Sequence, residues 1–372
     1  MQKKIRTIIR KIHLYLGLSI GLFFCFLGLT GGLLVFEHEI DESLNQELLV
    51  SEKHRGIPDL NQVLMAVSHF NPRFRAERLE VPRNDRGVYL IRGTETVNSE
   101  AKPLTIYVNP ITLTATGSRV WGEYPMSFIY RLHYTLLMGK QGSAVVGFAG
   151  ILLLFMVISG VILWWPKKGK WKQAVAVKWK AKRIRVIWDL HRSLGFFFSS
   201  IFVVVAISGI YMIFPQYVKP LISLVSPITD SPSALKSNPD AGLLQITPEQ
   251  VSQIADSVFP GLELKRMYFP KEKEGVYRVI KRAKNSAIKS SGYFQVWIEQ
   301  YNGKVLATRS PDEFTAGDHF SALQFPLHNG EALGLPGRLI ILASSIMPTV
   351  LLISGFLIWR GKRTRTPRKV RP

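Results

Sequence analysis

Eight histidines, at positions 13, 38, 54, 69, 133, 191, 319 and 328, are the side chains in this chain best suited to hold a metal or tune a charge. Internal repetition sorts them. The stretch "IHLYLGLSIGLFFCFLGLTGGLLVF" (12–36) aligns without gaps on "LHRSLGFFFSSIFVVVAISGIYMIF" (190–214), which sets His13 on His191, Gly17 on Gly195 and Gly31 on Gly209. "LHYTLLMGKQG" (132–142) aligns on "LHNGEALGLPG" (327–337), which sets His133 on His328, and further on Gly160 falls on Gly355. The other four histidines have no counterpart. A lone histidine is usually a satisfied polar residue or an interface anchor. Two matched pairs, one at each end of long apolar runs, point to ligation instead. Zinc takes three or four protein ligands, and neither pair has Cys or acidic residues at helical spacing beside it. Two imidazoles from different helices suit the two axial positions of a heme iron, which helical bundles commonly hold between facing helices.

Small residues accompany the histidines. Gly17 and Gly195 lie one turn beyond His13 and His191 on the same helix face, where they leave room for a porphyrin. Each apolar run also carries a Ser/Thr-Gly step: Thr30-Gly31, Ser159-Gly160, Ser208-Gly209 and Ser354-Gly355. Each step falls at the depth of the histidine pair supplied by the other two runs. Close packing of small residues between membrane helices explains the same pattern, and the two readings are compatible.

The elements that must position these residues are four apolar runs, 14–36, 143–165, 193–214 and 338–359, each near the ~20 residues that cross a bilayer. The first reads as an uncleaved anchor: it is too long for a signal peptide, and "FEHEIDE" after it offers no cleavage site. The net charge of +22 is unevenly placed: residues 1–12, 166–192 and 360–372 hold 22 of the 48 Lys and Arg and a single acid, Asp189. Alternating spans put all three basic segments on one side, which the positive-inside rule makes cytoplasmic. Both termini are then inside, and the loops 37–142 and 215–337 outside. Orientation and anionic lipid account for the charge, and nucleic acid is not implied. The one cysteine, Cys25, sits within the first run, which excludes an internal disulfide or a CxxC site and leaves it a packing residue.

Each outer loop opens with a short helix, "PDLNQVLMAVSHF" or "TPEQVSQIADSVF"; Thr247, Pro248 and Gln250 give the second a capping box. Strand-like runs follow ("AERLEVP", "GVYLIRG", "LTIYVNP"; "LELKRMYFP", "GVYRVIK", "YFQVWIEQ"), and "NPITLTATG" and "YNGKVLATR" close hairpin-like ends. Two small α+β domains are expected, with 226–242 as a linker. Gly330, Gly334, Pro336 and Gly337 would break a straight helix, so His133 and His328 are expected on short segments at the membrane surface.

The H-x-x-L-G at His13 and His191, the L-H before the second and fourth runs, and the paired α+β loops resemble the PepSY-associated transmembrane family. The resemblance implies a mainly α membrane protein with four transmembrane helices as two parallel repeats. It also implies two periplasmic PepSY-like domains, at about 57–117 and 245–310, in a Gram-negative inner membrane. That family includes reducers of ferric siderophores that use two hemes b. By resemblance, His13 and His191 hold a cytoplasmic heme, and His133 and His328 hold a periplasmic heme from which the electron leaves. The implied partners are a ferric siderophore or other iron chelate, membrane lipid, and a separate cytoplasmic or quinol donor, since the chain lacks G-x-G-x-x-G and P-loop motifs. Arg10, Lys11, Arg131 and Arg192 are candidates to neutralise heme propionates, with ordinary topology charge as their alternative role. Two rival classes are a non-enzymatic PepSY membrane protein that binds peptides or regulates a protease, and a transporter. The first predicts no heme; the second is disfavoured by the lack of ionisable residues at mid-depth in the runs.

Overall fold

The computed structural model describes residues 3–363, apart from 55, 57, 98, 99, 233, 240–243, 285, 287, 289 and 291. The basic tail beyond 363, and positions 233 and 240–242 of the expected linker, lie outside the described residues.

The described chain opens with α1 (Lys3–Leu34), 32 residues, long enough at ~1.5 Å per residue to cross a bilayer. Short helices α2 (Glu37–Leu44) and α3 (Gln46–Leu49) lead to α4 (Leu60–Phe70), where Asp59 caps the start by accepting from the Asn61 N–H at 2.7 Å. Strands β1 (Phe74–Glu80), β2 (Tyr89–Val97), β3 (Glu100–Val108) and β4 (Ala115–Val120) follow, then α5 (Pro125–Thr135) and the long α6 (Gly139–Trp164). The basic connection holds α7 (Trp171–Val175) and runs into α8 (Arg183–Phe197), α9 (Ser199–Ile213) and α10 (Pro215–Ser223). The order of the first half then returns: α11 (Pro248–Val258), β5 (Glu263–Tyr268), β6 (Val276–Arg282), β7 (Phe294–Glu299), β8 (Val305–Arg309), α12 (Ala316–Asn329) and α13 (Gly334–Arg363). The capping box of α11 is formed: the Gln250 N–H donates to Thr247 Oγ1, and the Thr247 N–H donates to Gln250 Oε1 at 2.8 Å.

Two compact units result. The helical unit comprises residues 1–36, 129–221 and 323–372. Three of its helical stretches, Lys3–Leu34, Gly139–Trp164 and Glu331–Gly361, are long and apolar enough to cross a membrane. The third expected run is not one straight helix: α8 and α9 meet at a 50° bend, and α8 starts well before residue 193. At the bend Ser199 Oγ donates to the Phe196 carbonyl at 2.6 Å, a side-chain bond of the kind that competes with the helix ladder. Helix α1 packs along α13 through small residues: a Cβ at Gly21 would stand 2.6 Å from Leu352 Cδ1, and one at Gly28 would run into the Ser345 carbonyl. Helix α6 packs along α9 in the same manner, with Gly150 against Ile210.

The second unit comprises residues 37–128 and 222–322. Two separate outer domains were expected; instead their strands form one antiparallel eight-stranded sheet, ordered β4-β3-β2-β1-β5-β6-β7-β8. The join is β1 to β5, with Arg78 opposite Tyr268, Leu79 opposite Met267 and Glu80 opposite Arg266. Pairing these two edges removes the unpaired backbone that each half would otherwise expose. The expected hairpin ends supply the outermost strands, β4 and β8. Alternate residues Leu79, Ile91, Ile106, Met267, Val279 and Ile298 are buried against α4 and α11 and form the core. The two covering helices are tied together where the Leu60 N–H donates to Glu249 at 3.0 Å. The expected outer loops are shorter than drawn from sequence, because residues 129–142 and 323–337, with His133 and His328, belong to the helical unit.

Candidate cofactor site: two histidine pairs

All four repeated histidines lie in the helical unit, and each meets a Ser/Thr-Gly step on another helix. His13 Nδ1 is 2.8 Å from Ser159 Oγ, and His191 Nδ1 is 2.8 Å from Ser354 Oγ. His133 Nδ1 is 3.0 Å from Thr30 Oγ1, and His328 Nδ1 is 3.0 Å from Ser208 Oγ. The adjoining glycine lies beside the Cε1 edge of each ring. A Cβ at Gly160, Gly209 or Gly355 would stand 3.3 Å from the Cε1 of His13, His328 or His191, and one at Gly31 would stand 2.9 Å from that of His133. The glycines therefore make room for the imidazoles themselves. Gly17 and Gly195 face only Met156 Cε at 3.2 Å and Leu351 Cδ2 at 3.8 Å, so no backbone closes the space beside them.

The hydroxyls also settle the tautomer. Each has one proton, and each lies within bonding distance of a carbonyl of its own helix: Ser159 to Met156 at 2.9 Å, Ser208 to Val204 at 2.7 Å, Ser354 to Val350 at 2.7 Å and Thr30 to Phe26 at 2.9 Å. The hydroxyl oxygen then accepts from the histidine, which puts the ring proton on Nδ1. His328 shows the same directly, since its Nδ1 is 3.1 Å from the Val205 carbonyl, which can only accept. Four Nε2 lone pairs are left available for a metal, each oriented by a bond on the far side of its ring, as metal-ligating histidines typically are.

The outer pair sits on the short helices α5 and α12, as the broken sequence predicts. Leu136 and Leu137, with φ of 51° and 60°, and Gly139 end α5 before α6 begins. Gly330 in left-handed conformation ends α12, and a Cβ there would meet the Gly337 carbonyl. Pro336 and Gly337 do not break the chain; they fall in the first turn of α13, where a missing N–H costs little. The rings of His133 and His328 have centroids 6.3 Å apart, tilted 60°. At that separation both imidazoles could reach one metal ion through nitrogen–metal bonds of about 2 Å. Desolvation, then the neighbouring His328, pushes His133 down to about 4, and desolvation lowers His328, so both are neutral ligands at pH 7. The inner pair is close enough for His13 to act electrostatically on His191. Among the described residues no group of three or more His, Cys, Asp or Glu could hold a metal ion.

The remaining candidates divide. Arg192 is engaged: its guanidinium donates to the Gln173 carbonyl at 2.7 Å and pairs with buried Asp189 at 3.4 Å, which removes it as a ready propionate partner. Asp189 also accepts from Arg185 at 3.1 Å and from the Lys178 N–H at 3.3 Å, and so fastens the basic loop to α8 two residues before His191. Lys11 lines an open, mostly apolar groove of ≈ 700 Å³ along α1 with Ile8, Ile12, Tyr15 and Leu16. Arg10 is exposed and Arg131 half-buried. Of the unrepeated histidines, His38 and His69 are exposed, His54 lies 3.4 Å from Ser51 Oγ, and His319 stacks edge-on with Phe314. Sequence reasoning missed Arg338, which donates to the Val35 carbonyl at 2.7 Å and lies over the Phe36 ring, tying the outer end of α13 to α1. It also missed that the Ser and Thr of the four steps are the partners of the histidines; their place just before each glycine, at matching depth, was the available signal.

The long apolar helices mark a membrane protein built from a helical unit and a β-sheet unit. The PepSY-associated TM region matches residues 10–362, and the chain belongs to that family. No curated protein gives a significant match to the chain.

Proposed function

We propose that this protein is a four-span, parallel-repeat inner-membrane protein that carries two hemes b and passes electrons outward to reduce ferric siderophore in the periplasm. Both termini are cytoplasmic in this reading, and the PepSY-like domains, about 57–117 and 245–310, are periplasmic. The observation that carries it is the fourfold repeat of one arrangement: an imidazole whose Nδ1 meets a Ser or Thr hydroxyl and whose Cε1 edge lies against a glycine of another helix, with Nε2 on the opposite side of the ring. His13 with His191 and His133 with His328 would each hold one heme iron. Heme bound there supplies a one-electron carrier at each end of the bundle.

The protein's own contribution is orientation and exclusion of water. Thr30, Ser159, Ser208 and Ser354 fix the ring tautomers and raise the basicity of the opposite nitrogens. Burial keeps both outer imidazoles uncharged. His13 and Gly31 are 18 residues apart on α1, about 27 Å along the helix, so the two pairs bracket the hydrocarbon core. Reduction serves release because oxygen-donor chelators hold hard Fe³⁺ better than Fe²⁺. The donor is a separate protein, a quinol or a small reductant.

The test is stopped-flow reoxidation of pre-reduced protein by ferric siderophore, with an Fe²⁺ trap present, wild type beside His328→Ala. The variant should keep the inner heme and lose reduction of the chelate. If it loses the outer heme yet reoxidises at the wild-type rate, or if loaded wild type is not reoxidised by any ferric chelate, the proposal fails.

A further inference from the structure

The face of the sheet not covered by α4 and α11 has an unusual composition. One cross-strand row runs through all eight strands as Arg119, Thr105, Arg92, Arg78, Tyr268, Arg278, Trp297 and Ala307. The next row places Glu80 opposite Arg266 at its centre. The ends of this face are neutralised locally: Arg119 makes a bidentate pair with Asp41 at 2.9 and 2.8 Å, and Arg309 pairs with Asp318 at 3.0 Å. The centre is not. Arg78, Arg92 and Arg266 share one carboxylate, Glu80, at 2.9, 3.6 and 2.9 Å. Arg278 bonds the neutral Gln295 amide at 2.9 Å. Four guanidiniums on four neighbouring strands share the Glu80 carboxylate, with Glu37, raised to about 7, beside Arg92, so the centre keeps a formal charge of about +2 to +3.

These groups are only partly exposed, at 22%, 37% and 25% for Arg78, Arg92 and Arg266. The Nε of each of these three makes no hydrogen bond, and neither does Glu80 Oε1, which Arg78 and Arg92 approach as an ion-pair partner at 2.9 and 3.6 Å. Desolvated donors without acceptors are costly unless something supplies the acceptor. Neighbouring titrations report the same field. Burial raises Tyr268, yet Arg266 and Arg78 over-ride it and hold the phenol below its ordinary range. Lys265 is pushed down to about 8, by burial first and then by Arg282 and Arg83. Tyr268 and Trp297 floor the centre, with guanidiniums stacked over them at 5.4 to 5.9 Å.

We propose that the centre of this sheet face, Arg78, Arg92, Arg266 and Arg278 around Glu80, binds a polyanionic iron chelate whose ligating groups are catecholate oxygens. Its identity as an iron chelate rests on the reductase reading; the anion site itself rests on the residues above. A tris-catecholate complex carries six phenolate oxygens around a trivalent ion and is triply negative, which matches the charge of the face. Its phenolate oxygens supply acceptors for forked guanidinium donors. A trihydroxamate complex, neutral or cationic, does neither.

The experiment uses the gallium(III) tris-catecholate complex, which mimics the ferric chelate in charge and shape but does not take an electron. Its affinity for the full-length, heme-loaded protein in detergent is measured by calorimetry at low and high salt. The complex should bind, more weakly as salt rises, and at least about tenfold tighter than a gallium trihydroxamate. Arg92→Gln and Arg278→Gln should each weaken binding about tenfold, as expected for the loss of a charge-assisted bond. Glu80→Gln removes the carboxylate that Arg78, Arg92 and Arg266 share and should tighten binding, whereas damage to the sheet would weaken it. Weaker binding by Glu80→Gln, unchanged binding by both arginine variants, or equal affinity for the trihydroxamate overturns the proposal. Because gallium reads docking alone, ferric chelates that are reduced while the gallium complex fails to bind would sink this site and leave the reductase reading standing. Binding with the expected charge pattern and no ferric reduction would do the reverse.

Discussion

Replacing Gly31 with alanine is the sharpest single perturbation of the outer pair. The new Cβ would stand 2.9 Å from His133 Cε1, where ordinary carbon contacts begin at about 3.5 Å. The ring must therefore retreat by about 0.6 Å. It is not free to do so, because the neighbouring Thr30 hydroxyl holds Nδ1 at 3.0 Å. Overpacking of this kind costs about 1–3 kcal/mol, equivalent to about a 5- to 150-fold loss of outer heme affinity. Gly209→Ala, with 3.3 Å to His328 Cε1, asks for about 0.2 Å of movement and should cost only a few-fold. Alanine favours a helix over glycine by up to about 1 kcal/mol, so loss of heme without loss of folding stability would be diagnostic. The assay is heme-to-protein ratio and the reduced-minus-oxidised spectrum during heme titration of both variants. Wild-type outer-heme affinity in Gly31→Ala, or loss of the inner heme instead, would refute the reasoning.

Other outcomes follow from the same geometry. Thr30→Val removes the acceptor for His133 Nδ1, and Ser354→Ala the acceptor for His191 Nδ1. Each should weaken its own heme about 10- to 100-fold and shift only that heme's potential in a redox titration; a shift in the opposite heme would contradict the pairing. Glu37, at the start of α2, is raised to about 7 by burial and then by Asp41. Between about pH 4.5 and 7 the folded state binds a proton that the unfolded state has released, so stability falls as pH rises through this window, by up to about 3 kcal/mol above pH 7. Glu37→Gln should therefore match wild type in thermal unfolding near pH 4.5 and exceed it at pH 8; a gap that does not change with pH would rule out this account.

The functional residues were more legible than the fold that carries them. Repetition alone paired His13 with His191 and His133 with His328, because each stands at the same offset from its apolar run in both halves. Repetition also placed the Ser/Thr-Gly steps at the right depth, but not the hydrogen bonds, which depend on how neighbouring helices are rotated. The β1–β5 join was not legible: Leu79 and Met267 are distant in sequence, and strand alternation carries no information about which edge meets which. Nor was the bend at Phe198, since "FFFSSIF" is apolar enough to continue a helix and breaks only where Ser199 bonds back to Phe196. The arginine face is visible afterwards in the alternation of Arg78 and Glu80 with Leu79, and of Arg278 with Val279, but its net charge appears only when four strands are set side by side.

The central claim is that the four repeated imidazoles are iron ligands. Its most direct test is the absorption and electron paramagnetic resonance spectrum of purified, heme-supplemented protein together with its heme-to-protein ratio. Two low-spin, bis-histidine hemes b per chain are expected, falling to one in His133→Ala and to one in His191→Ala, with a different signal lost in each. A sample with no Soret band, a ratio near one in the wild type, or loss of the same signal from both variants would contradict the account.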